Sequence, residues 1–186
     1  MSYEPFFERF GELARKETRS VSLRAGNQFG LPADDYGLLE LYCNDDNCDC
    51  QRVMFNVLSR KQEKSVAVVA FGWETATFYQ KWYGRDDSPA SRIAVNEMTG
   101  LNLNSASQQS EIAPAVLEMV RWLLTDLAYV ARIKRHYRMF RDAVDNKPFR
   151  KTTRLKPPVV PPDDFDPARV RAQEFRRRHR SRSTGN

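Results

Sequence analysis

Apolar and polar positions along the chain follow three successive patterns. Near the start, Phe6, Phe10 and Leu13 recur at helical spacing among Glu8, Arg9, Glu12 and Arg15, which predicts an amphipathic helix. Three stretches with strand character follow: Tyr36–Cys43 (YGLLELYC), Arg52–Leu58 (RVMFNVL) and Ser65–Trp73 (SVAVVAFGW), with a weaker one at Ser20–Arg24. The links between them are short, so sequential antiparallel pairing in a meander is the economical topology.

After Trp73 the period becomes helical. Glu74–Trp82 carries Phe78, Tyr79 and Trp82; Ser88-Pro89 offers an N-cap followed by proline at the first helical position, and Gly100 is a stop. A long helical pattern then runs from about Ser110 to Asp145, with Val116, Val120, Leu123, Leu124, Leu127, Val130 and Ile133 in one stripe that ends in Tyr137 and Phe140. Strands first and helices afterwards imply an α+β fold: a small antiparallel β-meander, helices packed on one face and a long C-terminal helix. No internal repeat is visible.

The C-terminal segment reads differently. Six of the ten prolines lie between Pro148 and Pro167, so residues 148–186 are expected to be an extended Pro-rich linker and a disordered basic tail appended to a domain of residues 1–147. Within that tail, Pro167–Arg180 could form a short basic helix on a partner. Charge agrees with the division. Residues 1–150 hold 20 basic and 20 acidic side chains, whereas residues 151–186 hold 10 basic and four acidic ones, so the whole net charge of +6 belongs to the last segment.

Composition adds exclusions. A hydrophobic fraction of 41% with 11% aromatics can bury a core, which rules out wholesale disorder. No apolar run approaches the ~20 residues of a membrane span, and MSYEPFFERF has no cationic-then-apolar signal segment. Three cysteines are too few and too odd for a secreted disulfide scaffold, so a reducing, cytoplasmic setting is expected.

Those cysteines are clustered as Cys43-Asn-Asp-Asp-Asn-Cys48-Asp-Cys50. Cys43 ends one predicted strand, Cys48 and Cys50 lead into the next, and Asn44–Asn47 is turn chemistry. A hairpin tip there brings three sulfurs together, and thiolates gathered at a tight turn are a common zinc cage. The local sequence lacks a fourth ligand. His136, three residues after Ile133 and four before Phe140, points inward from the long helix, and a Cys43, Cys48, Cys50 and His136 site would pin that helix to the hairpin. Asp46 or Asp49 could instead complete the cage; His179 lies in the tail and is a poor candidate. The alternatives are three buried thiols, a redox-active Cys48-x-Cys50, and a core histidine bonded to a carbonyl or carboxylate.

Three segments together, DYGLLELYCNDDNCDCQRVMFNV, VAFGWETATFYQKWYG and QQSEIAPAVLEMVRWLLTDLAYVARIKRHYRMF, resemble a family of uncharacterised bacterial proteins. That family shares a YC…CDC hairpin and an RHYxMF helix end, and its members are often labelled for a SEC-C motif, a small zinc-binding module. The resemblance spans roughly residues 35–141 and implies a shared site at Cys43, Cys48, Cys50 and His136. The C-terminal C-x-C-G…C-C pattern of that motif is missing here.

No glycine-rich phosphate loop, serine elbow or HExxH is present. Asp45, Asp46 and Asp49 could hold Mg²⁺ in a hydrolase, although a solvated hairpin tip explains them more simply. Trp73, Phe78, Tyr79, Trp82 and Tyr83 could stack bases or simply pack a helix on the sheet. Arg132, Arg135, Arg138 and Arg141 recur along the last helix, and Lys147, Arg150, Lys151, Arg154 and Lys156 follow, then Arg176, Arg177, Arg178, Arg180 and Arg182. Either these cations complement a helix C-terminus and solvate it, or they form one phosphate-seeking surface. The sequence therefore leads to the expectation of a non-enzymatic module, stabilised by structural Zn²⁺, that contacts nucleic acid or a nucleoprotein complex without a membrane. A protein-interaction adaptor for secretion or chaperone machinery is the alternative, and a metal-dependent hydrolase the third.

Overall fold

The computed structural model describes residues 2–84 and 88–145. The expected linker and tail, residues 148–186, lie outside them. The chain is of the α+β class, built on a six-stranded antiparallel sheet. Strand β1 (Tyr3–Pro5) runs into two short helices, α1 (Phe6–Arg9) and α2 (Gly11–Glu17), so the expected first helix is broken at Phe10. Strands β2 (Arg19–Leu23), β3 (Asp34–Cys43), β4 (Arg52–Ser59) and β5 (Lys64–Gly72) then pair in sequence as a meander. Helices α3 (Ala76–Tyr83) and α4 (Pro89–Met98) follow, and β6 (Gly100–Leu103) returns to pair with β5. Helices α5 (Ala113–Leu123) and α6 (Leu127–Val144) complete the described fold.

Strand β3 is the longest and organises one side of the sheet. β2 pairs with its first half, Leu23 opposite Asp34 to Arg19 opposite Leu38, and β1 with its end, Pro5 opposite Leu41 to Tyr3 opposite Cys43. From Asp34 to Tyr42 burial along β3 alternates, and Tyr36, Leu38, Glu40 and Tyr42 all point into the core. The fully buried Val53, Phe55 and Val57 of β4 share one face, where Phe55 stacks on Tyr129 of α6 at 6.3 Å between ring centroids. Helices α3 and α4 close over the start of β4 and the end of β5, beside Arg52 and Gly72. Ser88 caps α4 by accepting from Ser91 N at 3.2 Å, with Pro89 next, as its sequence predicts.

The long helical pattern resolves into two helices. Asp126 Oδ1 accepts hydrogen bonds from Ala128 N (2.9 Å) and Tyr129 N (3.3 Å), while Thr125 Oγ1 donates back to Trp122 O at 2.7 Å. These polar groups give the backbone an alternative to helix at 124–126 and start a new one. The break resets the rotational phase, so Leu127 is 80% exposed and Tyr129 takes the inward position.

Candidate metal centre

The sulfur cluster forms where β3 ends. Cys43 is the last residue of β3, held on one side by Tyr3 of β1. Beyond it the chain turns, with Cys48 N donating to Asp45 O at 3.3 Å and Asn47 at φ +53°, a left-handed conformation that asparagine tolerates better than most residues. The reversal carries Cys48 and Cys50 back towards Cys43. Gln51 is also left-handed, at φ +50°, and here the surroundings impose it. Its N–H donates to Tyr137 Oη (3.2 Å), its Oε1 accepts from Trp73 Nε1 (3.1 Å), and its carbonyl accepts from Tyr79 Oη (2.8 Å).

The three sulfurs lie within 4.8 Å of one another, and all three thiols are free. Thiolates bound to one zinc at ~2.3 Å in tetrahedral directions would be about 3.8 Å apart, so little movement is needed to close on an ion. Cys43 and Cys50 are fully buried and Cys48 is half-buried. Hydrogen bonding from the Cys43 and Cys50 thiols, helped by the charge of Arg141, holds the Cys48 thiol far below its ordinary value. The same hydrogen bonds, to Cys43 and then Cys48, push the Cys50 thiol up, and burial adds to this. Cys48 therefore carries the first negative charge of the cluster. Three sulfurs this close, with the Cys48 thiol the most readily deprotonated, make a group that could hold a metal ion.

His136 does not join them. Its ring is 1% exposed and lies between two carboxylates: Nδ1 is 2.7 Å from Glu40 Oε2 and Nε2 is 3.0 Å from Glu17 Oε2. Phe6 stacks on it at 4.3 Å, and Tyr42 Oη donates to the same Glu40 oxygen at 2.7 Å. Of the alternatives weighed from the sequence, the core histidine bonded to carboxylates is the one the structure displays. Its inward direction was legible, but its partners were not. Glu40 carries a signal after all, because it occupies an inward position of the β3 alternation where an unpaired acid would be costly. Asp45, Asp46 and Asp49 are exposed, and among the described residues no carboxylate or imidazole completes the sulfur group.

The pinning of the last helix to the hairpin, assigned from the sequence to a shared metal, is made by hydrogen bonds. Arg141 Nη1 donates to Cys43 O at 2.7 Å, and its Nη2 to Asp145 Oδ1 at 2.6 Å. Asp145 Oδ1 also accepts Asn47 N at 2.9 Å. Arg141 is thus buried, not a surface cation available to phosphate. Arg135 pairs with Glu17, and Arg132 is half-buried over the Tyr129 ring at 5.0 Å. Only Arg138 of the four is exposed. Helix geometry explains the scatter: steps of three residues drift by about 60°, so Arg132 and Arg141 end about half a turn apart. Lys147, Arg150, Lys151, Arg154, Lys156, Arg176, Arg177, Arg178, Arg180 and Arg182 lie outside the described residues.

No protein-family model, curated protein or solved structure matches the chain. Among the described residues no helix is long and apolar enough to cross a membrane.

Proposed function

We propose that the chain is a zinc-stabilised, non-enzymatic binding module whose partner is nucleic acid or a nucleoprotein complex. The observation that carries the metal half is the convergence of the Cys43, Cys48 and Cys50 sulfurs within 4.8 Å. Zinc suits this donor set because it favours thiolate and needs no redox partner. Half-buried Cys48 lies on the solvent side of the group, which leaves water or an outside donor as the fourth ligand. The role is structural: an ion there would tie the end of β3 to the start of β4. The nucleic-acid half is supported by charge alone, since residues 151–186 carry the net +6 and Arg138 is exposed on α6.

Two measurements test these halves separately. Elemental analysis of the purified full chain should give one zinc per chain, lost in Cys48→Ser and in Cys50→Ser; a protein free of zinc after reconstitution under reducing conditions refutes the metal reading. Binding to duplex DNA or RNA should weaken linearly in log salt, with a slope of about −0.9 per phosphate neutralised on B-DNA. A tail scrambled at constant charge should bind nearly as well. Binding indifferent to salt, or no binding at low salt, removes the nucleic-acid half.

A further inference from the structure

The three cysteines differ in what can reach them. Cys43 and Cys50 are fully buried, whereas Cys48 is half-buried and stands on the solvent side of the group. A small neutral oxidant arriving from solvent therefore meets the Cys48 sulfur first. With the other two sulfurs within 4.8 Å and all three thiols free, an oxidised Cys48 has a second thiol beside it before a second oxidant arrives.

The backbone decides which thiol that is. Cys48 and Cys50 are separated by one residue, so a bond between them closes an unusually small ring. Gln51, next in the chain, is held by Tyr137, Trp73 and Tyr79, so the segment leaving Cys50 has little freedom to bend back. Cys43 and Cys48 bracket residues 44–47, a turn already closed by the hydrogen bond from Cys48 N to Asp45 O. Cys43 is the fixed member of that pair: its carbonyl accepts from Arg141 at 2.7 Å, and Tyr3 lies opposite it in the sheet. Rotation of the Cys48 side chain, with a small tightening of the turn, brings the two sulfurs to the ~2.05 Å of a disulfide.

We propose that Cys48 is a peroxide-reactive site that closes a disulfide with Cys43. In the first step the Cys48 thiolate attacks one oxygen of hydrogen peroxide. The O–O bond breaks, Cys48 becomes a sulfenic acid, and the departing hydroxide takes a proton to become water. In the second step the Cys43 sulfur attacks the Cys48 sulfur, the S–O bond breaks and another water leaves. Two thiols are oxidised by two electrons, and one peroxide is reduced to two waters. Two of the three sulfurs are then lost as ligands, so the same reaction expels a bound zinc; this consequence alone rests on the metal reading.

The test treats the full-length protein, either stripped of metal by a chelator or loaded with zinc, with hydrogen peroxide. Remaining thiols are then alkylated and mapped by peptide mass spectrometry. The stripped protein should show an intramolecular Cys43–Cys48 disulfide with Cys50 alkylated, and dithiothreitol should restore all three thiols. Cys48→Ser should lose thiols at least about ten-fold more slowly, since both remaining sulfurs are buried. Cys50→Ser should still form the disulfide. The zinc-loaded protein should release one zinc per disulfide formed. A protein that takes up no zinc, or keeps it once oxidised, refutes the metal reading, while the stripped sample still decides the disulfide. The proposal is overturned if the disulfide joins Cys50 to either partner, if peroxide carries Cys48 to sulfinic acid with no disulfide, or if Cys48→Ser oxidises as fast as the parent.

Discussion

Replacing His136 with phenylalanine keeps a ring against Phe6 and removes both ring nitrogens from the buried cluster. Glu40 is then left with a side chain 4% exposed, one oxygen bonded to Tyr42 Oη and the other, Oε1, already without a partner. The 2.7 Å contact between His136 Nδ1 and Glu40 is a hydrogen bond to a charged group, a class worth about 1.5–3 kcal/mol net. Removing one partner also strands the other charge, so the net loss should be about 3–5 kcal/mol. Glu17 adds less, because it is more exposed and keeps its pairing with Arg135. Urea unfolding at neutral pH, followed by circular dichroism, measures the effect; with a slope of about 2 kcal/mol/M the midpoint falls by roughly 2 M. Glu40→Gln added to His136→Phe removes the stranded charge and should recover at least about 1 kcal/mol, a coupling a double-mutant cycle isolates. Zinc content should stay that of the parent protein, since His136 is not at the sulfurs. A loss below about 1 kcal/mol, or strict additivity in the cycle, refutes the reasoning.

Three further outcomes follow from local geometry. Burial alone would raise the Asp34 carboxyl, but hydrogen bonds from Ser59 Oγ, Lys61 N and Asp35 N hold it below its ordinary value, so its contribution is present above about pH 4 and lost as pH falls through the folded-state value. Asp34→Asn should therefore flatten the acid side of a stability-against-pH curve, and an unchanged curve counts against the assignment. At Gly72 an added Cβ would overlap the Met98 carbonyl oxygen and the Tyr79 hydroxyl; Gly72→Ala should cost at least about 1–3 kcal/mol in thermal or urea unfolding, and a neutral effect would mean α4 can shift freely. Asp126→Ala removes the cap of α6 and should cost about 1 kcal/mol by urea unfolding, with faster amide exchange at Ala128 and Tyr129; unchanged exchange would show that the cap contributes nothing.

What could be read in advance follows the strength of each local signal. β3, β4 and β5 carry β-branched and aromatic runs between turn residues, and they lie where those runs predict. β1 contains Pro5 and only three residues; it is a strand because β3 extends beyond β2 and offers an unpaired edge, which is a tertiary cause. β6 is similar, four half-buried residues given their direction by Gly100 at φ +68°. The break before α6 was written in Thr125-Asp126, but the unbroken apolar stripe concealed it. At the site, hairpin logic brings the cysteines together, since a turn between two strands fixes where their ends meet. The partner of His136 depends on which residue of β3 lies beneath α6, and helical spacing within α6 holds no information about that. The same spacing over-grouped the arginines, because a run of like charges says nothing about which face each one takes.

The hydrogen bond from Trp73 Nε1 to Gln51 Oε1 gives the molecule an optical consequence. Trp73 also meets the Tyr137 ring edge-on at 5.2 Å, and Lys134 sits 5.7 Å from its centre, so its indole is immobilised by the residues that fix the segment after Cys50. Any change at the sulfurs that moves Gln51 alters the polarity and hydrogen bonding around that indole. The other two tryptophans, Trp82 and Trp122, lie on α3 and α5. With both replaced by phenylalanine, the emission of one native fluorophore becomes a label-free gauge of the cysteine loop, usable during metal titration, thiol oxidation or refolding.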